Sequence, residues 1–369
     1  MRASIIALGL AGMLATVAWP AAAVDVPALI DAAAGADAQA DADIVVLHRA
    51  ETIAIDDAGR VTRHVHTVRR LQTQWAMRSR ADVRIAWDDA RQELEVRTAR
   101  TYMRDGAVRE TPANGYNDVT PDAVARAVPF LDVRELVVSH IGTEPGCVVE
   151  LEYVVRDLAP APLPPGGTLW LGGEHPVLRA EVRVEGADAV PVGMGADPVA
   201  AGHWVVTDLP SYHEVPRDQR ALVVPHVQWG RVDAADRLAA AVRAVTDAAA
   251  SPAPSLAAWV ERTRADPAVL TEVDLVDRIA ALAHDGLRAV RLPGGIWSRA
   301  PRSADDVFTS AVATPWEQTV VTLAALQAAG LDPELGLFGR DALPGRGPLD
   351  PARFTHLRVA VRVAGTNWW

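Results

Sequence analysis

The chain of 369 residues contains a single cysteine, Cys147, so thiol chemistry would have to use this residue. A catalytic thiol needs an imidazole beside it and a positive environment that favours the thiolate. Cys147 opens a predicted strand over residues 148–155 and lies far from His356 in the sequence. A free cysteine is most often a small side chain of the core. We therefore expect Cys147 to be a half-buried strand residue, and one cysteine cannot form an intrachain disulfide.

The sequence Thr314-Pro315-Trp316-Glu317 has the residue types of a helix start. Thr314 is a favourable N-cap, proline suits the first helical position, and Glu317 follows the cap by three residues, the spacing of a capping box. The apolar residues 320–328 predict a helix that is buried at the centre of a domain. A predicted strand with His356 near its start follows at residues 354–363.

Two hydroxyl groups could replace a thiol if His356 acted as their base, those of Thr314 and Ser310. A hydroxyl needs a stronger base arrangement than a thiol, and Thr314 already has a capping role. The sequence therefore favours a structural role for both hydroxyl groups.

His64 and His66 are two residues apart on a predicted strand and so share one of its faces. A metal pair is conceivable, but the sequence places no third ligand beside them, and we expect a polar sheet face without a metal or other cofactor. Trp297 and Trp316 flank the predicted helix start and could form, with His356, an aromatic groove for a peptide or sugar. Packing in the core is the other role open to these two residues.

Short alternating segments with turn signals between them predict a mainly antiparallel β-sandwich in the first part of the chain. The residues 56–59, Asp-Asp-Ala-Gly, form the turn between two of these strands, over 44–55 and 61–71. The second part begins after Gly230 and predicts helices followed by strands, an α+β arrangement. Its helices are predicted at residues 233–250, at 255–264 with Ser255 as the cap, at 273–290, at 305–311 and from Pro315 onward.

The first 23 residues have the pattern of a signal peptide, with Arg2, a short apolar segment and the small residues Ala21-Ala22-Ala23. We therefore expect a periplasmic or secreted protein whose mature chain begins at Val24. No later segment is apolar for long enough to predict a transmembrane anchor. The net charge of −11 makes nucleic acid an unsuitable partner.

The chain resembles secreted bacterial transglutaminase-like proteins that carry a domain of unknown function before the transglutaminase-like domain. The N-terminal resemblance rests on Glu93-Leu94-Glu95-Val96, on Tyr102-Met103-Arg104-Asp105-Gly106, on residues 118–121 and on residues 146–153. The C-terminal resemblance rests on the Pro315 helix, its end at Ala328-Ala329-Gly330, and Phe354-Thr355-His356. It implies a papain-like fold with a Cys at the helix start, a His on a following strand and an Asp on the next strand.

Pro315 occupies the position where this resemblance implies the nucleophilic cysteine, and His356 matches the family histidine. Proline has no nucleophilic side chain and no N–H for an oxyanion hole. His356 would then be vestigial, and the sequence ends at Trp369, about where the Asp should follow. The resemblance therefore implies a degenerate and C-terminally incomplete domain.

These patterns predict three parts: a signal peptide at residues 1–23, a β-sandwich domain of unknown function at 24–230, and a helical linker with a transglutaminase-like domain at 231–369. We expect a non-catalytic protein that binds a protein, a peptide or a cell-envelope component. The alternative is an active cysteine-type hydrolase or acyltransferase of the same family, with an incomplete or atypical sequence.

Overall fold

The structure is a computed structural model. The structure describes residues 24–33, 41–122, 124–125, 132–192, 197–216, 219–231, 234–290, 300–338 and 356–368. The predicted signal peptide and Trp297 lie outside these residues.

Strands dominate the chain up to Gly230. They are Ile44–Ile55 (β1), Val61–Leu71 (β2), Asp82–Asp88 (β3), Gln92–Tyr102 (β4), Val108–Glu110 (β5), Tyr116–Val119 (β6), Val133–Ser139 (β7), Cys147–Asp157 (β8), Gly166–Trp170 (β9), Val177–Glu185 (β10), Asp188–Val192 (β11), Pro198–Ala200 (β12), His203–Leu209 (β13) and His226–Gly230 (β14). Among the described residues of this part, three short α-helices accompany them, Val26–Ala33 (α1), Gln74–Arg80 (α2) and Arg220–Val223 (α3).

Eight of these strands form one large sheet in the order β12-β13-β10-β1-β2-β8-β4-β5. The β1–β2 hairpin closes at the predicted turn, where the Gly59 N–H donates to the Asp56 carbonyl at 2.9 Å. Gly59 has a φ of 87°, which glycine adopts without steric cost. The strand pairs of this part are antiparallel, as mainly predicted, except that β1 and β10 are parallel. β10 follows β1 after a long connection, so no hairpin constrains its direction.

Two three-stranded sheets pack against one face of the large sheet. The sheet β11-β14-β9 contributes Leu169, Val227 and neighbouring residues to a cluster with β1, β10 and β13 of the large sheet. The sheet β3-β7-β6 contributes Ile85 and Val138 to a second cluster with β4 and β8. Alternation along each strand places the side chains of these two clusters on this face, while the opposite face carries an apolar cluster under α1 that includes Val45, Leu47 and Val68. We call the first of these the covered face of the large sheet.

Helices dominate the described residues after Gly230. They are Ala234–Ala250 (α4), Pro254–Arg264 (α5), Glu272–Ala281 (α6), Ala304–Ser310 (α7) and Pro315–Ala328 (α8). The strands are Arg288–Ala289 (β15), Val312–Ala313 (β16), Pro333–Phe338 (β17), His356–Val363 (β18) and Thr366–Trp368 (β19). The helix α8 lies at the centre of this part, because its buried side chains share one apolar cluster with α4, α5, α6, α7 and β18.

Two predictions about the helices are wrong by more than a shift of one residue: the Ser255 cap and the end of the helix predicted over 273–290. Ser255 does not cap α5, which begins at Pro254; instead the carboxylate of Asp305 accepts bonds from the Ser255 and Leu256 N–H groups at 2.8 and 3.1 Å. The helix predicted over 273–290 ends at Ala281 and continues as one π-helical turn, Leu282–Gly286. The helix stops there because the next residues pair with another segment: β15 forms a parallel pair with β16.

The two parts of the chain meet in a small apolar cluster. Val124 and Val133 from the first part are buried against Val290 and Val312 from the second part. Val312 lies two residues before Thr314, so this contact supports the segment that leads into α8.

Candidate functional site

The start of α8 is a complete capping box, as the sequence predicts. The Thr314 hydroxyl accepts a bond from the Glu317 N–H at 3.3 Å, and the Thr314 N–H donates to Glu317 Oε2 at 2.8 Å. Pro315 occupies the first helical position. Its missing N–H costs nothing there, because the first N–H groups of a helix have no partner within the helix.

Glu317 is buried and is held by Arg302. The Arg302 Nε donates to Oε1 at 2.7 Å and Nη2 donates to Oε2 at 3.1 Å, a two-point ion pair. Burial by itself raises the pKa of the Glu317 carboxyl, but the bonds from Arg302 and from the Thr314 N–H outweigh it, and the net pKa is lowered. Glu317 is therefore a carboxylate whose two oxygens are both occupied, which leaves it no part as a general base.

Arg302 also fixes the segment before the helix. Its Nη1 donates to the Ser310 hydroxyl at 3.2 Å, and its Nη2 donates to the Val312 carbonyl at 2.6 Å. The Ser310 hydroxyl donates in turn to the Val307 carbonyl at 3.0 Å. A hydroxyl that accepts from a guanidinium and gives its proton to a carbonyl is a poor nucleophile, so the structural role applies to Ser310.

The first turn of α8 lies beside the start of β18. The Thr319 hydroxyl contacts the carbonyls of Pro315 and Leu357 at 3.3 and 3.4 Å. Leu357 directly follows His356, whose backbone pairs with Phe338 of β17. The fold thus brings together the helix start and the strand that the sequence links, whereas the His356 side chain lies outside the described residues.

The remaining aromatic candidate at this position is Trp316. It is partly buried and packs against the apolar cluster of the helical part, while Pro315 beside it is exposed. The contact with the cluster supports a packing role for at least part of the indole ring. A binding role for Trp316, Trp297 and His356 stays a prediction.

Cys147 lies at the first residue of β8, in the strand-rich part. It is fully buried, rather than half-buried as predicted, in a cluster with Leu71 and Val149. Burial raises the pKa of its thiol. A buried thiol with a raised pKa is a weak nucleophile.

His64 and His66 are buried on the face of the large sheet opposite the covered face, where each contacts a carboxylate of β8. His64 Nε2 lies 2.8 Å from Glu152 Oε1, and His66 Nε2 lies 2.9 Å from Glu150 Oε1. Tyr102 donates its hydroxyl to the other Glu150 oxygen at 2.7 Å. The sequence analysis missed both glutamates, although Glu-Leu-Glu on β8 has the same two-residue spacing as the histidines.

His48 of β1 extends this polar row and is buried without a hydrogen bond at either ring nitrogen. Its ring lies 5.6 Å from that of His66 in an edge-on contact. The pKa of His48 is lowered to about 4, mainly by burial and then by the charge of His66. His48 is therefore neutral at pH 7. Within the described ranges, no three His, Cys, Asp or Glu side chains are placed to hold a metal ion.

Comparison with known proteins gives a match to one family model and matches to solved structures. Residues 57–201 match the family model described as a domain of unknown function with a solved structure, DUF3857. This match agrees with the resemblance of the N-terminal part. A search of curated proteins gives no match.

The crystal structure of a "putative protease" from Parabacteroides distasonis has a TM-score of 0.77 at 21% identity, over 88% of this chain and 66% of that chain. The two proteins share a fold, and this chain spans slightly less than two thirds of the other. An M1 zinc metallopeptidase from Deinococcus radiodurans has a TM-score of 0.23 at 13% identity, over 51% of this chain and 42% of that chain. No helix in the described residues is long and apolar enough to cross a membrane.

Proposed function

We propose that this chain is an exported binding protein whose second part, residues 231–369, is a helical linker with a transglutaminase-like domain without thiol catalysis. The first part, residues 24–230, is a β-sandwich domain of unknown function in this proposal. The juxtaposition of the α8 start with β18 supports a transglutaminase-like arrangement, since that family joins a helix start to a histidine-bearing strand. The ligand is a protein, a peptide or a component of the cell envelope.

One observation carries the proposal: the helix start is fully engaged in structural bonds. Thr314 caps the helix, Pro315 has no reactive group, and both oxygens of Glu317 accept from Arg302. The single thiol of the chain is buried in the other part. An acyl-transfer site needs a nucleophile beside a base, and the described residues around Pro315 offer none that is not already in use.

A label at the helix start tests the binding role. The variant Cys147→Ala with Pro315→Cys carries one environment-sensitive fluorophore at position 315, next to Trp316. The control is Cys147→Ala with Leu270→Cys, because Leu270 is 84% exposed and lies between α5 and α6. Both proteins are titrated with casein-derived peptides and with soluble peptidoglycan fragments.

We expect one of these probes to change the emission of the label at position 315 in a saturable way and to leave the label at position 270 unchanged. Equal responses at the two positions, or none at position 315, would overturn the proposed binding role. Turnover of either probe by the unmodified chain would favour the alternative of an active hydrolase.

A further inference from the structure

Arg69 of β2 lies on the covered face of the large sheet, between two apolar clusters. It is directly opposite Val46 of β1 and Val149 of β8. Val46 packs against the cluster under the sheet β11-β14-β9, and Val149 belongs to a cluster with Ala76 and Ala81, at either end of α2. A guanidinium at this position is surrounded by apolar side chains on both sides and loses much of its contact with water.

The guanidinium of Arg69 has no counter-ion among the described residues. Its Nη2 is buried without a hydrogen-bond acceptor, and Arg69 forms no ion pair with a described carboxylate. Two other arginines on the same face have a counter-ion: Arg49 and Arg63 share the buried carboxylate of Glu51 at 3.3 and 2.6 Å. A buried N–H of a charged group without an acceptor is costly, so Arg69 is held in a state that an incoming anion would stabilise.

A second cation lies close to Arg69. Arg80 is the last residue of α2, and Ala81 after it shares an apolar cluster with Val149, the residue opposite Arg69. The charge of Arg80 adds to burial in lowering the pKa of Arg69 to about 10. Arg80 contacts Glu174 at 3.4 Å, but both side chains are about half exposed, and such a pair is weak in water. The positive charge of Arg80 therefore remains largely available.

His175 completes the group. Burial and then the charge of Arg80 lower the pKa of its imidazole, while Glu174 and Asp43 are the acids that act on it in the opposite direction. Asp43 is already bound, because it accepts a bond from the Thr73 hydroxyl at 2.5 Å. The backbone places His175 near Arg69, because the carbonyl of Pro176, the next residue, accepts a bond from the Val46 N–H at 2.9 Å, and Val46 lies opposite Arg69. The three basic side chains therefore lie in one region, where the nearby acids are exposed or already engaged.

We propose that Arg69, Arg80 and His175 form a binding site for an oxyanion, either a carboxylate or a phosphate group of a small ligand. Arginine presents two parallel N–H groups that match the two oxygens of such an anion. The partly exposed Arg80 side chain lies at the surface end of the site, and the buried Nη2 of Arg69 lies at its inner end.

Titration of the full chain with sodium phosphate and with sodium acetate tests this site. Both anions are added at constant ionic strength, balanced with sodium chloride, and binding is followed by calorimetry and by thermal unfolding. The variants are Arg69→Gln and Arg80→Gln. The matched control is Arg84→Gln, because Arg84 forms an exposed pair with Glu135 on β7, away from this site. Arg69→Gln removes an uncompensated charge and is expected to fold.

We expect one anion to bind the unmodified chain and the Arg84→Gln control equally, and to bind Arg69→Gln and Arg80→Gln about tenfold more weakly or worse, the loss typical of a bond to a charged group. Stronger binding of phosphate identifies a phosphate site, and stronger binding of acetate identifies a carboxylate site. The variant Glu174→Gln should bind more tightly, because it removes the acid that competes for Arg80. No binding of either anion, or equal binding by Arg69→Gln and the unmodified chain, would overturn the proposal.

Discussion

Arg302 and Glu317 form a two-point ion pair across the first turn of α8, with Nε to Oε1 at 2.7 Å and Nη2 to Oε2 at 3.1 Å. The Glu317 side chain is 4% exposed and that of Arg302 is 18% exposed, so the pair is largely removed from water. The same two residues bond to Thr314, Ser310 and Val312. This pair is the bond that joins the helix start to the segment before it.

Breaking this pair at one side should destabilise the chain strongly. Arg302→Met leaves the buried Glu317 carboxylate without its partner, and we expect the free energy of unfolding to fall by about 3 kcal/mol or more. Urea unfolding measures the change. The control is Arg60→Ala, whose exposed pair with Asp56 should contribute less than about 1 kcal/mol.

The double variant Arg302→Met with Glu317→Leu should recover part of the lost stability, because it no longer buries an unpaired charge. If Arg302→Met lowers the free energy of unfolding no more than the Arg60→Ala control does, the pair does not stabilise the helix start.

The cap at Thr314 should have a smaller and separable effect. Thr314→Ala removes the acceptor for the Glu317 N–H, and we expect a loss of about 1 kcal/mol. Thr246→Ala is the matched control, since the exposed Thr246 hydroxyl donates to the Val242 carbonyl of its own helix. Its effect on urea unfolding should stay within about 0.5 kcal/mol. Equal effects of the two changes would contradict the capping role.

The local signals at this helix start were sufficient for prediction from the sequence. The Thr-Pro-Trp-Glu pattern fixes the cap and the first turn through bonds between residues three apart, and the structure confirms it. The main strands β1 and β2 also follow from alternation and one turn. These features depend only on neighbouring residues, which is why the sequence contains them.

The partners of these elements depend on tertiary contacts and could not be predicted in the same way. Arg302 binds Glu317 from 15 residues away, and Asp305 caps α5 from 50 residues away, neither with a local pattern. The parallel pairing of β10 with β1 joins strands far apart in the sequence. Bonds of this kind form only once separate elements have packed together.

His48 should make stability depend on pH. Its folded-state pKa of about 4 lies below the ordinary value of 6.5, because burial and then His66 disfavour its charge. The neutral His48 side chain therefore contributes fully to the free energy of unfolding above pH 6.5, and this contribution falls as the pH decreases from 6.5 towards 4. The full loss amounts to about 3 kcal/mol. Urea unfolding at several pH values in this window measures it.

The comparison variant is His48→Phe, which keeps a flat ring and cannot be protonated. Because His140 and His175 also have lowered pKa values, only the difference between the two proteins reports on His48. We expect His48→Phe to be at least as stable at pH 7, since it removes two ring nitrogens without partners, and to lose less stability at pH 4.5. Parallel stability curves for the two proteins would contradict the prediction.

Cys147 should react only when the chain unfolds. Its thiol is fully buried and its pKa is raised, so we expect no labelling by a thiol reagent in native buffer and one labelled thiol per chain in denaturant. Cys147→Ala should keep the fold at a cost of about 1 to 2 kcal/mol, the range expected when a small side chain is shortened in a core. Rapid labelling of the native chain would contradict the burial of the Cys147 thiol.

The most direct test of the structural role of the α8 start is an assay for thiol-dependent acyl transfer. The purified chain is incubated with fluorogenic casein and with an amine donor, with and without iodoacetamide. We expect no turnover above the protein-free blank in either condition, because the helix start carries Pro315 and the only thiol is buried in the strand-rich part. Turnover of an amide or ester substrate that iodoacetamide abolishes would contradict the structural role of the α8 start.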